Sequence, residues 1–435
     1  MKIFTVEEAQ KTILQRKSIN RITYSPITIK RTEEYFGKGI SPPQAVEIII
    51  NSIEEGGDQA IRKWSKLLDR YPGEEILIPP SKLEKAWKQL PQELQQAMKT
   101  AADRIRSFHE KQPIQSWITK EMGGQLGQRI TPIDRVGVYV PGGTAPLPSS
   151  MLMSVIPAQV AGVEKIYVAT PAEPATSILA AAFLCGVDAI YQIGGAQAIA
   201  ALAFGTETVQ KVDKIVGAGN LFVTIAKQKL YGVVGMDGLA GPTETMVIAD
   251  QTANPMWVAA DLLAQAEHDV QASAILLTTN LELAQEVQKE VISQTEKLSR
   301  KEIIRASNEN CGGIIVTKSL NQAADIANTF AAEHLCLSVE NPAALMGKIN
   351  NAGGFFLGDH SFEVLGDYAA GPSHVMPTGG SARFASPLNV LDFVKISSVI
   401  GLDKETAQAL SLFAVELADL EGLTAHAASA RARLE

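Results

Sequence analysis

The sequence predicts an α/β protein with two parallel-sheet units, preceded by a mainly helical region and followed by a short tail. Three observations predict this architecture. Short apolar runs alternate with helical patterns twice along the chain, at 135–238 and at 239–380. The first 134 residues instead carry the apolar spacing of amphipathic helices. A length of 435 residues exceeds one ordinary core and favours two or three domains.

The region before residue 135 is typical of a set of packed helices. Residues 41–71 have the apolar spacing of two helices interrupted at Gly56–Gly57. Residues 80–112 continue the pattern, and Pro91 favours the start of a further helix because its fixed φ suits a first turn. We expect residues 1–134 to pack against the second α/β unit.

The first α/β unit, residues 135–238, alternates strands and helices as expected for a parallel sheet wound on both faces. Three of its strands end in glycine turns, written VPGGTAP, QIGGAQA and VGAGN. Glycine at the carboxyl end of a parallel strand lets backbone amides approach a ligand's phosphates. None of the turns matches G-x-G-x-x-G, so this is by itself a weak nucleotide signal.

The second unit, residues 239–380, runs through the apolar segments TMVIAD, SAILLTTN, GGIIVT and LCLSV. Helical patterns separate these segments, and one of them ends in DLLAQAEHD. After Gly379–Gly380, residues 381–435 predict a strand followed by a terminal helix. We therefore place the boundaries of the units at residues 134, 238 and 380.

Composition and charge exclude several classes of protein. A net charge of −8 disfavours binding to a nucleic-acid backbone. The charges in MKIFTVEEAQ stand where a secretory signal needs an apolar core. The charge-free run 136–163 contains four prolines, a density that a lipid-exposed helix would not carry. We therefore expect a soluble cytoplasmic protein.

The cysteines restrict the chemistry of any metal site. The three of them, Cys185, Cys311 and Cys336, are widely spaced and form no CxxC pair. This spacing indicates neither a disulfide framework nor a thiolate zinc site. Any metal must therefore be held by histidine, carboxylate or amide groups.

Polar residues gather at the end of the DLLAQAEHD helix. Gln265 and His268 are three residues apart and so face one side of a helix, a common half of a metal site. Glutamine is a rarely used ligand, however, and a capped, solvated helix end is the alternative.

Two further segments carry acid–base candidates. Glu333–His334, at the junction of a helix and a strand, places a carboxylate beside an imidazole that titrates near pH ~6.5. The alternative is a structural histidine beside a solvated glutamate. The loop 366–380 is rich in glycine and proline and carries Asp367 and His374, so it either presents them to a ligand or is an ordinary turn.

Other candidates flank these segments. AGPTE offers the Thr243 hydroxyl and Glu244 just before a strand. Glu421 and His426 are five residues apart on the last predicted helix, where ordinary surface residues are the alternative.

The order and the amino-acid sequences of these segments resemble those of the histidinol dehydrogenase family. The matching segments are MDGLAGPTE, LLAQAEHD, AAEHL, GDYAAGPSHVMPTGG and EGLTAHA, together with RVGVYVPGGTAPLPSSMLM and IGGAQAIAALAFGT. The resemblance covers nearly the whole chain, and residues 1–130 are its least diagnostic part. It implies two incomplete Rossmann-like, aldehyde-dehydrogenase-like domains and a zinc-containing homodimer. It also implies oxidation of L-histidinol to L-histidine through L-histidinal, with two hydride transfers to NAD.

Residue by residue, the resemblance implies a zinc site, an acid–base pair and two sets of ligand contacts. Zinc ligands are implied at Gln265, His268, Asp367 and His426, the last reaching the metal from the tail of the other subunit. The acid–base pair is implied at Glu333 and His334. Substrate contacts are implied at Thr243, His374 and Glu421, and at Gln265, His268, His334, Asp367 and His426. NAD contacts are implied at Tyr139, Gln197 and Asn220. We therefore expect residues 381–435 to act as a dimerisation tail.

This sequence departs from the family pattern in two places. Thr243 stands where many relatives have serine, and the hydroxyl is kept. Asp269–Val270 replaces a Gly-Pro-like continuation after the second ligand, which leaves the ligands themselves unchanged. His109 and His360 match no functional position.

Two other functions compete with this interpretation. One is a paralogous zinc dehydrogenase for another small alcohol, such as a sulfonated diol; Glu421 and His374, which suit an amine- and imidazole-bearing substrate, argue against it. The other is a non-catalytic metal-binding dimer, in which Glu333–His334 would have no functional role.

Overall fold

The computed structural model describes residues 1–16, 24–142 and 146–434. Gly143, in the first glycine turn, lies outside the described residues. The helices are α1 (Val6–Gln10), α2 (Pro26–Phe36), α3 (Pro42–Leu68), α4 (Pro80–Gln89), α5 (Gln92–His109), α6 (Pro148–Val160), α7 (Thr176–Cys185), α8 (Gly195–Phe204), α9 (Leu221–Leu230), α10 (Pro255–Ala266), α11 (Leu281–Thr295), α12 (Lys301–Asn310), α13 (Leu320–Phe330), α14 (Pro342–Met346), α15 (Glu363–Tyr368), α16 (Lys404–Leu420) and α17 (Thr424–Arg431). The strands are β1 (Ile3–Thr5), β2 (Trp117–Thr119), β3 (Gln125–Pro132), β4 (Arg135–Tyr139), β5 (Lys165–Thr170), β6 (Ala189–Gln192), β7 (Lys214–Val216), β8 (Gly235–Met236), β9 (Glu244–Ala249), β10 (Ser273–Thr278), β11 (Gly313–Val316), β12 (His334–Ser338), β13 (Gly354–Leu357) and β14 (Val394–Gly401).

The first parallel sheet has the strand order β6-β5-β4-β7-β8. In its centre, Val138 pairs with Val168 on one side and with Val216 on the other, and all three are fully buried. A strand covered on both faces needs apolar side chains in both directions, which is why these runs do not alternate with polar residues. The predicted parallel sheet is confirmed.

The second parallel sheet has the order β1-β11-β10-β9-β12-β13. Its central strand β9 is buried along its whole length and lies beside β12, with Thr245 opposite His334. The amino ends of β9 and β12 therefore meet at one edge of this sheet. The predicted second α/β unit is also confirmed.

Contacts between α6 and the loop 366–380 bring the two units together. Ser150 Oγ lies 3.1 Å from His374 Nε2, and the Ser373 hydroxyl donates to the Met153 carbonyl at 3.0 Å. Helix α6 follows the carboxyl end of β4, whereas the loop adjoins the amino ends of β9 and β12. The carboxyl edge of the first sheet thus faces the amino edge of the second.

The N-terminal helices differ in placement from our expectation. Helix α3 is broken at Gly57, where φ is 48° and ψ is −133°, as the sequence predicted. Its apolar stripe, including Ile49, Ile53 and Trp64, joins the core of the first unit against the alanine-rich α8. Strand β1, which also belongs to the N-terminal region, pairs with β11 and so adds a strand to the second sheet. The helices cover the first unit because α8 offers a flat, small-residue surface to the isoleucine stripe of α3.

A third sheet joins the tail to the N-terminal region. Strand β14 runs antiparallel to β3, from Val394 opposite Pro132 to Gly401 opposite Gln125, and β2 completes the order β14-β3-β2. The strand-plus-helix prediction for the tail is confirmed, and its partner strand lies in the region expected to be mainly helical. None of the described helices combines the length and the apolar character needed to cross a bilayer.

The break in α3 places a buried carboxylate at the first unit. Asp58 is 6 % exposed and accepts from the hydroxyl groups of Thr206 at 2.6 Å and Thr208 at 2.5 Å. Burial acts to raise the pKa of Asp58, but these hydrogen bonds outweigh it and lower the pKa below its usual value.

Replacement of Asp58 by alanine should reduce the stability of the fold by about 2–3 kcal/mol, because two partly buried hydroxyls lose a charged acceptor. Differential scanning calorimetry at pH 7 measures this as a lower midpoint, with the exposed Asp103→Ala on α5 as the matched control. Since the folded-state pKa is lowered, the stabilisation is complete above the unfolded pKa and lost as the pH falls through the folded value. If the difference in melting midpoint between wild type and Asp58→Ala stayed constant as the pH fell through the folded-state pKa of Asp58, this account would be contradicted.

Candidate active site

The candidate pair Glu333–His334 stands at the amino end of β12. Helix α13 ends at Phe330, and Ala331 then adopts a left-handed conformation with φ 52° and ψ 61°. A non-glycine residue rarely takes this conformation, and here it turns the chain so that Glu333 and His334 enter the buried edge of the sheet. The predicted junction of helix and strand is confirmed.

Glu333 is held by donors from the start of β9. Its Oε2 accepts from the Thr243 hydroxyl at 2.6 Å and from the backbone N–H of Glu244 at 3.0 Å. Burial raises the pKa of Glu333 to about 7, although the adjacent His334 and these donors act to lower it. A carboxyl group that titrates near neutral pH is suited to accept or release a proton.

The His334 ring lies among acceptors. Its Nδ1 is 3.1 Å from the Glu244 carbonyl oxygen, 3.6 Å from Glu333 Oε2 and 4.0 Å from Glu363 Oε1. Its Nε2 is 3.7 Å from Asp367 Oδ1 and has no hydrogen-bond partner within the described part of the chain. Burial opposes protonation of the ring, but the Glu363, Glu333 and Asp367 carboxylates outweigh it and raise the pKa of His334 to about 10.

Two of the predicted zinc ligands, Gln265 and Asp367, converge on this pair. Gln265, at the end of α10, is 1 % exposed and has its amide 2.5 Å from Thr243 Oγ1. With its Nε2 turned toward Glu363, the amide donates to Glu363 Oε1 at 2.7 Å and accepts from the Glu244 backbone N–H at 2.8 Å. Asp367, on α15, lies on the other side of the His334 ring.

His268 follows the end of α10 and is exposed. Loss of hydration around its ring lowers the pKa of His268, while the neighbouring Asp367 acts in the opposite direction. The Asp367 carboxylate is thus close enough to act electrostatically on the His268 ring. Among the described residues, no three His, Cys, Asp or Glu side chains of one chain are grouped so that they could hold a metal ion.

The structure does not bring Glu421 and His426 to the site within one chain. Both side chains are exposed, and no hydrogen bond or ion pair of the described residues joins either to Gln265, His268 or Asp367. The tail that carries them exposes large apolar side chains on α16 and beside it, namely Leu412, Phe413, Leu417, Leu420 and Leu423.

His374, predicted to contact substrate, is engaged by protein groups. Its Nδ1 lies 2.8 Å from the Asp367 carbonyl oxygen and its Nε2 3.1 Å from Ser150 Oγ. Burial lowers the pKa of His374, and Asp367 acts to raise it. The ring thus links α6 to α15, the helix that carries Asp367.

The predicted cofactor residues lie at the carboxyl edge of the first sheet. The Tyr139 hydroxyl accepts from the Gly195 N–H at 3.1 Å, and burial raises the pKa of Tyr139 to about 12. Gln197 donates through Nε2 to Asp69 at 3.0 Å, and its buried Oε1 has no partner among the described residues. Asn220 caps α9, with Oδ1 accepting from the first backbone N–H groups of that helix.

A cavity of about 190 Å³ opens at the carboxyl end of β5. It is lined by Gly142, Thr170 and Pro171, and Pro171 also touches the Gly194 turn that precedes Gln197. The Thr170 hydroxyl is fully buried and has no hydrogen-bond partner in the described ranges.

The sequence reasoning missed one carboxylate of the site, Glu363, and the backbone contacts of Glu244 with the catalytic pair. Glu363 is 1 % exposed and accepts from the Thr245 hydroxyl, and burial raises its pKa to about 7. It stands four residues before Asp367, so both face one side of α15, a spacing that could have identified it. Glu244 touches Glu333 and His334 through its backbone, and nothing in its sequence context indicates that contact.

Comparisons with known proteins identify the family of this chain. A family model described as histidinol dehydrogenase matches residues 39–434. Histidinol dehydrogenase from Clostridium acetobutylicum is 48 % identical over 399 residues, covering 90 % of this chain and 92 % of that protein. The enzyme of the same name from Deinococcus radiodurans is 45 % identical over 426 residues, covering 96 % and 97 %.

A solved structure is similar over its whole length. The crystal structure of histidinol dehydrogenase from Elizabethkingia anophelis has a TM-score of 0.91 and 35 % identity, and covers 100 % of this chain and 98 % of that one. The family match, the sequence identities and the shared fold extend over the two α/β units and the tail alike. The chain therefore belongs to the histidinol dehydrogenase family and is an oxidoreductase enzyme.

Proposed function

We propose that this enzyme oxidises L-histidinol to L-histidine through L-histidinal in histidine biosynthesis, with two NAD molecules and one zinc ion per subunit. The observation that carries the proposal is the buried Glu333–His334 pair, with Gln265 and Asp367 on either side of it. We further propose that it does so in the cytoplasm, as a homodimer.

The side chains fit a zinc ion held by oxygen and nitrogen donors. Gln265, His268 and Asp367 would hold it, with His426 supplied by a second copy of the chain. The position of Asp367 beside the His334 ring, with Gln265 bonded to Thr243 and Glu363 next to the same pair, supports this assignment. When bound, zinc would fix the amine and imidazole nitrogens of the substrate and offset the carboxylates around His334.

The carboxyl edge of the first sheet fits NAD. Tyr139, Gln197 and Asn220 would contact it, and the unpartnered Gln197 Oε1 and Thr170 hydroxyl are free to hydrogen-bond its polar groups. None of the three turns has the full dinucleotide fingerprint, which suits an enzyme that must exchange NADH for NAD between two oxidations.

His334 is the base for the first oxidation. The Glu244 carbonyl oxygen lies 3.1 Å from Nδ1, so Nε2 is the ring atom that would take the proton of the substrate hydroxyl. The surrounding carboxylates raise the pKa of the ring, and a bound zinc ion would offset them and favour the neutral form that accepts a proton. The ring can release this proton and take up another, which a site with two successive oxidations requires. We assign the orienting role to Glu244 through its backbone.

Glu333 is the base for the hydration of the aldehyde between the two oxidations. Burial leaves its carboxyl group titrating near neutral pH, so it can deprotonate an attacking water. Thr243 and the Glu244 N–H hold its Oε2 and fix the direction of the other oxygen. Thr243 and His374 would line the substrate site, and Glu421 of a second copy would pair with the substrate ammonium group.

The exposed apolar side chains of the tail support the dimer. Leu417, Leu420 and Phe413 are each more than half exposed in the single chain, an apolar surface that association with a second copy would cover. Burial of this surface would also carry His426 and Glu421 toward another site.

A stoichiometric assay tests the proposal. Limiting L-histidinol should yield two NADH per molecule consumed, because the same site oxidises the alcohol and then the hydrated aldehyde. Removal of metal with a chelator should abolish NADH formation, and added Zn²⁺ should restore it. One NADH per histidinol, or full activity in the metal-free protein, would contradict the proposal, and a simple aliphatic alcohol serves as the control substrate.

A further inference from the structure

Arg16 reaches from the N-terminal segment to the edge of the candidate active site. Its guanidinium group forms a two-pronged ion pair with Glu244, with Nη2 2.9 Å from Oε2 and Nη1 on Oε1. The Glu244 side chain is only 7 % exposed, and within the described residues its carboxylate is held by Arg16 and by the Gly379 N–H at 3.2 Å. A planar guanidinium matches both carboxylate oxygens at once.

The same guanidinium group also binds the chain that leads into the catalytic pair. Its Nε donates to the Phe330 carbonyl at 3.1 Å, and its Nη2 lies 3.5 Å from the Ala331 carbonyl oxygen. It stacks on the Phe330 ring at 3.6 Å from the ring centroid. Arg16 thus holds the left-handed turn that delivers Glu333 and His334.

The backbone of Glu244 connects the Arg16 ion pair to both Glu333 and His334. Its backbone N–H donates to Glu333 Oε2 at 3.0 Å, and its carbonyl oxygen lies 3.1 Å from His334 Nδ1. Arg16 therefore touches neither catalytic side chain, but it joins the start of β9 to the turn before β12. A shift between these two strand ends would change both hydrogen bonds together.

The segment that carries Arg16 is anchored to the second sheet. Strand β1 pairs with β11, Thr5 and Glu8 form a capping box at the start of α1, and Ile13 and Leu14 pack on the core beneath. The position of the guanidinium group is therefore set by the fold of this segment.

We propose that Arg16 is a positioning residue, which sets the spacing between the amino ends of β9 and β12 and thereby the geometry of the Glu333–His334 pair. This inference rests on the proposed function. It predicts that loss of the guanidinium group impairs the chemical steps and leaves substrate affinity and metal binding nearly unchanged.

The test compares Arg16→Met and Arg16→Lys with Arg305→Met, a control that removes an exposed arginine paired with Glu296 and Glu302. Arg16→Met should lower kcat by about 10- to 100-fold, the size of effect that a small misplacement of catalytic groups produces. KM for histidinol should stay within about threefold, since uniform substrate binding is not removed. The zinc content of Arg16→Met should equal that of wild type. The control Arg305→Met should match wild type in kcat, KM and zinc content.

Two further measurements separate positioning from a general structural role. Arg16→Lys keeps the positive charge but loses the planar, two-pronged geometry of the guanidinium group, so its kcat should lie between those of Arg16→Met and wild type. Methylguanidine added to a smaller variant, Arg16→Ala, should recover part of kcat without changing the melting temperature. A lower melting temperature with normal kcat, or a raised KM with normal kcat, would overturn the proposal.

The wild-type enzyme and Glu333→Gln distinguish this failure from that of the proposed function. If wild type does not oxidise histidinol, or if Glu333→Gln is fully active, the proposed function fails. If both behave as proposed and Arg16→Met keeps its kcat, the positioning role alone is wrong.

Discussion

Replacement of His334 by asparagine should lower kcat by about 10²- to 10⁴-fold, the contribution that a positioned general base makes. Asparagine keeps a polar group of similar reach but cannot accept a proton at Nε2, the ring atom that has no partner among the described residues. The side chain is not among the proposed zinc ligands, so the metal content of the purified protein should not change. Steady-state kinetics and elemental analysis of the same preparation provide the measurement.

The matched control is His360→Asn, a substitution at a histidine to which we assign no functional role. It should leave kcat and metal content at wild-type values. Loss of zinc in His334→Asn would show that His334 is a ligand, and near-normal kcat would remove the proposed base.

Mixed dimers should regain activity when one chain carries His334→Asn and the other His426→Asn. If the tail of each chain completes the site of its partner, each mixed dimer has one site with both defects and one intact site. Random pairing of equal amounts should then give about one quarter of wild-type activity, although each variant alone is nearly inactive. Co-expression with two different affinity tags isolates the mixed dimers, which should have about half of the wild-type activity because one of their two sites is intact.

A mixture of His334→Asn with Glu333→Gln is the control, because both defects lie in the main body of the chain. Every site of such a dimer is impaired, so no recovery is expected. Recovery in this control, or none with His426→Asn, would contradict the exchange of tails between subunits.

The elements of the fold follow largely from local sequence. After their first one or two residues, β4, β5 and β9 are mainly apolar in consecutive positions, which a strand covered on both faces requires. The break at Gly57 needs a positive φ, and glycine supplies it without steric cost. The pairing of β14 with β3 was not predicted, because the polar-rich sequence of β3 carries no signal for a distant partner.

The candidate site was predictable where a short motif contains the chemistry. Glu333 and His334 are neighbours in sequence, and Gln265 was assigned through the resemblance; the structure places all three together. The contacts of Glu244 and Arg16 depend on the register of β9 beside β12 and on the path of the first sixteen residues. Neither is encoded by local residue spacing, so both became visible only in the fold.

The pairing of β1 with β11 has a consequence for the folding of the enzyme during its synthesis on the ribosome. Ile3 lies opposite Ile314, so at about 5–20 residues per second the first strand is made roughly 15–60 s before its neighbour exists. During that interval the apolar residues of the nascent segment have no native surface to cover them, and chaperones have time to bind them. Docking of this segment also delivers Arg16, so maturation of catalytic activity should be among the last events of biogenesis, after both sheets have formed.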